Sequence, residues 1–104
     1  MLRCKDNSIY TGITTDLKRR FSEHLAQNEK CAKYTLTHEA LKLESAWQTE
    51  NRVLASKLEF FIKTLTKEKK ERLLKDSNLL ESFLGTKIDS KKYMNVELNI
   101  DLMK

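Results

Sequence analysis

The chain begins with two short apolar stretches on either side of a polar turn. Leu2–Cys4 and Ile9–Ile13 flank Lys5–Ser8, where Asp6 and Asn7 favour a turn because both residues tolerate left-handed backbone and hydrogen-bond to it. This pattern predicts a β-hairpin. Further along, apolar and polar residues alternate again, which predicts a third strand. In this strand Leu41, Leu43, Ser45 and Trp47 would alternate with Lys42, Glu44 and Ala46.

Apolar residues at helical spacing predict the remaining elements. A first helix is predicted over about residues 16–27, capped by Thr14 or Thr15, with a loop over about 28–39. A second is predicted over about 50–65, and a third over about 67–75 with Thr66 as its cap. Ser77 would cap a fourth that ends at Gly85. The last segment alternates weakly and predicts a strand through Val96, Leu98, Ile100 and Leu102.

Together these elements predict an α+β fold, in which helices flank a small three-stranded antiparallel sheet. At 100° per residue, the core stripe of the first helix would be Leu17, Phe21 and Leu25. Arg20 and His24 would lie side by side on one flank of that stripe, leaning toward the strand that carries Tyr10, whereas Arg19 would face solvent. Gly12, after that strand, would allow a close backbone approach.

Composition narrows the class of protein. The chain has 104 residues and a formal net charge of +5, which suits one domain and favours an anionic partner without proving one. Cys4 and Cys31 are too far apart for a zinc motif, and we expect both to be reduced thiols. No apolar run approaches the roughly 20 residues of a membrane span, so we expect a cytoplasmic protein without a membrane partner.

The segment from Tyr10 to His24 resembles the second half of the GIY-YIG nuclease motif. Tyr10-Thr11-Gly12 stands in the YIG place, and Arg20 and His24 follow on the helix. The stretch that begins at Glu59 is similar to the small stand-alone proteins of that family. The resemblance covers about residues 1–75, which we take as the GIY-YIG-like domain, with 76–104 as a C-terminal helical extension and tail. The family's first tyrosine would precede Met1, so we expect a shortened first strand.

The resemblance implies a role for each of these residues. Glu59 would hold one Mg²⁺ or another divalent ion, and Arg20 would neutralise phosphate charge. Tyr10 would position or deprotonate the attacking water, and His24 would bond the phosphate or assist proton transfer. Lys33, in a loop stretch also similar to the stand-alone members, would meet DNA backbone. No organic cofactor is implied.

A basic stretch follows Glu59. Residues 63–75, including Lys63 and Lys67, have a net charge of +4, which suits either phosphate binding or an ordinary solvated helix face. Both interpretations stay open.

Three functions are compatible with the sequence. The first is a divalent-metal-dependent endonuclease acting on DNA. The second is a catalytically impaired nucleic-acid-binding module that keeps the fold, as the missing first tyrosine suggests. The third is a protein-interaction domain, in which the last helix would present an apolar face made of Leu79, Leu80, Phe83 and Leu84. Oligomeric state is left open.

Overall fold

The computed structural model describes residues 1–26 and 38–96. These residues divide into two compact units, the first covering Met1–Glu44 and the second beginning at Ser45. The first unit contains a three-stranded sheet and a helix, and the second contains further helices and a two-stranded ribbon.

The sheet of the first unit has its earliest strand at the centre. β1 (Leu2–Cys4) lies between β2 (Ile9–Tyr10) and β3 (Ala40–Leu43), and it pairs antiparallel with both. The predicted turn is present, since Asn7 has a φ of 71° and the amide of Cys4 donates to the carbonyl of Ser8 at 2.9 Å. The predicted α+β fold with a three-stranded antiparallel sheet is therefore confirmed.

The alternation predicted for the third strand is wrong in detail. Arg3 pairs with Lys42 but the next residue pairs with Ala40, so the register shifts and Leu41 is the extra residue of a β-bulge. Leu41 is consequently 52% exposed, whereas Leu43, two residues later, is only 3% exposed. Trp47 belongs to a separate strand in the second unit and is only half-buried.

Helix α1 (Leu17–Ala26) follows β2 after six residues of irregular chain. Its cap is Asp16, whose carboxylate accepts from the amide of Arg19 at 3.1 Å, so the expected Thr14 or Thr15 cap is wrong. Thr14 instead accepts from the amide of Asp16 at 3.0 Å and supports the cap from the preceding turn. The predicted core stripe is also wrong at its end, because His24 is buried and Leu25 is 42% exposed.

The core of the first unit joins the sheet to α1. Phe21, at 3% exposure, packs with residues from β1 and β3, and Tyr10 and Leu17 pack against this cluster from its edge. The sheet members are Leu2, Ala40 and Leu43. Because this core contacts both β2 and α1, it fixes the relative positions of the side chains that these two elements carry.

The second unit is mainly helical. It contains α2 (Arg52–Lys63), α3 (Lys67–Lys75), α4 (Leu79–Leu84) and a 3-10 helix (Ser90–Lys92). β4 (Trp47–Gln48) pairs antiparallel with β5 (Met94–Asn95). Its buried apolar residues include Leu58, Ile62, Leu73, Leu80 and Leu84.

The helices of this unit begin and end at residues that can be compared with the predicted caps. Thr66 caps α3 as expected, accepting from the amide of Lys69 at 3.2 Å. The cap position of α4 is Asn78 rather than Ser77, and its side chain makes no capping hydrogen bond. Gly85 ends α4, and its amide donates to the carbonyl of Glu81. It does so in ordinary helical conformation, not in the left-handed one.

Some predictions fall outside the described ranges. These are Cys31, Lys33 and most of the loop over 28–39, together with Leu98, Ile100 and Leu102 of the last predicted strand. The division into residues 1–75 and 76–104 stays a prediction. Within the part of the chain that the structure describes, no helix is long and apolar enough to cross a membrane.

Candidate active site

Tyr10 ends β2, and its ring lies close to Gly12, two residues later in the chain. A Cβ atom placed on Gly12 would lie 2.7 Å from the phenol oxygen of Tyr10 and 2.8 Å from its ring. Only glycine therefore leaves room for this tyrosine. The close approach predicted at Gly12 is made by the side chain of Tyr10 rather than by backbone, and because the φ of Gly12 is not positive, space is the requirement.

His24 lies against Tyr10 from helix α1. The two ring centroids are 5.1 Å apart with their planes tilted by 51°, and His24 is only 2% exposed. Burial and, to a smaller extent, the nearby charge of Arg20 lower the pKa of His24 to about 4, while Glu23 opposes the shift. At neutral pH the imidazole is thus uncharged, with one nitrogen that donates a hydrogen bond and one that accepts.

Arg20 lies one helical turn before His24, and it supplies the positive charge that the imidazole lacks. Its guanidinium contacts the carboxylate of Glu23 at 3.2 Å, and the two side chains are 28% and 16% exposed. Arg20 is thus partly exposed to solvent while its guanidinium is held by Glu23. Arg19, as expected, is exposed to solvent.

Tyr10, Arg20 and His24 line one small cavity, together with Gly12 and Thr14. Its volume is about 50 Å³, enough for a few water molecules but far below the roughly 300 Å³ of a site for an organic ligand. A phenol, a neutral imidazole and a guanidinium therefore meet around a space that suits water or the oxygens of a larger substrate held outside. The structure therefore brings together Tyr10, Arg20 and His24, the three site residues that the sequence predicted in the first unit.

Comparison with known proteins identifies the family to which the chain belongs. The family model described as the GIY-YIG catalytic domain matches residues 1–73, which include the whole cavity. The chain belongs to the GIY-YIG family. It is 45% identical over 74 residues to UPF0213 protein FN1575 of Fusobacterium nucleatum, covering 71% of this chain and 72% of that relative. No solved structure gives a significant match.

Two enterobacterial relatives extend the similarity past the family match. UPF0213 protein YhbQ of Salmonella arizonae is 43% identical over 86 residues, covering 83% of this chain and 84% of its own length. A UPF0213 protein of Citrobacter koseri is 41% identical over the same length. Small stand-alone GIY-YIG proteins are thus the group that this chain resembles.

GIY-YIG nucleases use a divalent metal, and Glu59 of α2 is the carboxylate expected to hold it. Its side chain is 25% exposed, and its contact with the ammonium of Lys63 is a loose 3.7 Å. In residues 1–26 and 38–96, no cluster of three or more His, Cys, Asp or Glu could enclose an ion. One available carboxylate fits Mg²⁺, which keeps several waters and takes further ligands from substrate phosphates.

The predicted DNA-contacting lysines of the second unit are both exposed. Lys63 contacts Glu59, and Lys67 contacts Glu71 at 3.8 Å one turn further along α3. Such exposed pairs contribute little to stability, so both ammonium groups can exchange these partners for phosphate at small cost.

Two side chains near the cavity have features that the sequence analysis did not predict. Glu23 holds the guanidinium of Arg20, and its i to i+3 spacing from Arg20 was a usable signal. Thr11 is 7% exposed, and its hydroxyl finds no hydrogen-bond partner among the described residues. No pattern in the sequence points to Thr11, because its burial depends on how the chain leaves β2.

Proposed function

We propose that this protein is a divalent-metal-dependent endonuclease that hydrolyses DNA phosphodiester bonds. The observation that supports the proposal most directly is the meeting of Tyr10, Arg20 and His24 on one water-sized cavity inside the segment that matches the GIY-YIG catalytic domain. Phosphodiester hydrolysis needs a positioned water, neutralisation of the developing phosphate charge and a route for protons. These three side chains have the chemistry for each need.

Arg20 would bind the phosphate, because its planar guanidinium can donate two parallel hydrogen bonds to phosphate oxygens. Its contact with Glu23 restricts the side chain beforehand, so less freedom is lost when the phosphate binds.

Tyr10 and His24 would manage the water and its proton. The phenol of Tyr10 is held above Gly12 and can hydrogen-bond a water in the cavity. His24 is neutral at physiological pH, so it would accept a proton or donate a hydrogen bond without adding charge. The lowered pKa of His24 thus leaves Arg20 as the cationic member of the three.

Glu59 would hold the metal ion through its carboxylate. When bound, such an ion stabilises negative charge on phosphate oxygens and lowers the pKa of a coordinated water. Lys33, Lys63 and Lys67 would contact the DNA backbone. Since the proposed substrate is DNA, we also propose that the protein acts in the cytoplasm.

Nicking of supercoiled plasmid by the purified protein tests the proposal. Cleavage should require Mg²⁺ and stop in EDTA, and Arg20→Ala and Glu59→Ala should each abolish it. Arg19→Ala is the matched control, because Arg19 is the exposed neighbour of Arg20 and should leave the rate unchanged. Cleavage by the Arg20→Ala variant at the wild-type rate would refute the proposal. DNA binding without any metal-dependent cleavage would select the non-catalytic module instead.

A further inference from the structure

Helix α2 presents an aromatic side chain to solvent beside its candidate metal ligand. Phe60 is 63% exposed, and Val53, two turns earlier on the same face, is 76% exposed. The opposite face carries the buried Leu58 and Ile62, which anchor the helix. Phe60 thus places a large aromatic ring in solvent on the face opposite the buried one.

The ring of Phe60 is held in place by its neighbour. Phe61 meets it edge to face, with ring centroids 5.1 Å apart and an interplanar angle of 85°. Phe61 itself is half-buried, so it links the exposed ring to the interior of the second unit. Phe60 therefore contacts one aromatic neighbour through part of its ring and leaves the rest of the ring to solvent.

The surroundings of Phe60 are strongly basic. Lys57 and Lys63 lie three residues before and after it, which places both on its side of the helix, and both are exposed. Residues 52–75 contain eight Lys or Arg against three Glu, a net charge of +5 that equals the net charge of the whole chain. The chain's excess positive charge is thus concentrated in this segment.

These features favour one kind of occupant. Protein interfaces are depleted in lysine at their cores, so a ring placed between two lysines is a poor centre for a protein partner. Single-stranded nucleic acid suits it well, because its bases stack on aromatic rings while its phosphates pair with cations.

We propose that Phe60 is a stacking platform for an unpaired base of single-stranded DNA, with Lys57 and Lys63 holding the flanking phosphates. The inference deepens the proposed function and rests on it for one point: Lys63 contacts the carboxylate of Glu59 at 3.7 Å, so a phosphate held by Lys63 would lie near the group that is expected to hold the metal. The preferred substrate would then carry unpaired nucleotides next to the bond that is cut.

Fluorescence anisotropy with a labelled oligonucleotide of about 15 nucleotides tests the platform in EDTA, where no cleavage interferes. Phe60→Leu, which keeps an apolar side chain without an aromatic face, should weaken single-strand binding about tenfold and change duplex binding less than about twofold. Phe60→Tyr should bind like wild type. Val53→Ala is the matched control, since it trims another exposed apolar residue on the same face.

An abasic strand of the same length provides the sharper comparison. It keeps the phosphates and lacks the bases, so wild type and Phe60→Leu should bind it equally. Equal losses on the abasic and normal strands, or wild-type affinity of Phe60→Leu for the normal strand, would overturn the proposal. Phe60-dependent self-association in sedimentation, with DNA binding unchanged, would overturn it too. Loss of plasmid nicking in Glu59→Ala with no effect of Phe60→Leu on binding would leave the nuclease standing and reject the platform alone.

Discussion

Lowering the pH from 7 to 5 should destabilise this protein in part through one buried imidazole. The unfolded chain protonates His24 near the ordinary pKa of 6.5, whereas burial holds the folded pKa at about 4. Between these values the unfolded state binds more protons than the folded state. The free energy of unfolding therefore falls as the pH falls through this window, and the contribution of His24 is fully present only above about pH 6.5.

The size of the effect follows from the two pKa values. One pKa unit corresponds to about 1.4 kcal/mol, and pH 5 lies about 1.5 units below the unfolded pKa, so the loss by pH 5 is about 2 kcal/mol. A loss of that size is a large part of the roughly 5–15 kcal/mol that stabilises a small domain. Asp6 titrates below this window, because hydrogen bonds from Ser8 and the contact with His38 hold the pKa of its carboxyl well below its usual range.

Urea unfolding followed by circular dichroism at pH 7 and pH 5 measures the loss. The His24→Gln variant keeps a polar, neutral side chain that cannot titrate, so its own change with pH provides the baseline. Wild type should lose about 2 kcal/mol more than this variant. The same pH dependence in both proteins would show that folding does not lower the pKa of His24, so that the folded imidazole is already protonated at pH 5.

Three other substitutions probe the same unit. Gly12→Ala should push the Tyr10 phenol aside, because the new Cβ would lie 2.7 Å from its oxygen. Plasmid nicking should fall at least about tenfold with little change in melting temperature. Glu23→Gln should slow single-turnover cleavage severalfold without weakening DNA binding, since it loosens Arg20 without removing it. Thr11→Val should raise the free energy of unfolding by about 1 kcal/mol in urea titrations, because it removes a buried hydroxyl that has no partner among the described residues.

The features that local sequence decides were predictable. Asp6 and Asn7 define the hairpin turn within a few residues, and the first helix begins within one residue of its predicted start, although its cap is Asp16 rather than Thr14 or Thr15. Arg20 and His24 share a helix flank through their spacing of four. A site formed from one hairpin and the helix that follows it depends on short-range geometry, so its first-unit members could be placed from a single sequence.

The features that depend on pairing between distant segments were not predictable. The bulge at Leu41 arises where β3 meets β1, and nothing in the alternating pattern of the third strand signals it. The burial of His24 in place of Leu25 depends on how α1 rotates against the sheet. That rotation is what lowers the pKa of His24, so the charge state of the site became clear only from the fold.

A single comparison of neighbouring arginines tests the central claim most directly. Arg20→Lys and Arg19→Lys both preserve the net charge, but only the first replaces the guanidinium that lines the cavity. In Mg²⁺-dependent single-turnover cleavage, Arg20→Lys should be slower by about a hundredfold or more, and Arg19→Lys should match wild type. Equal rates for the two variants would contradict the assignment of this cavity as a nuclease active site.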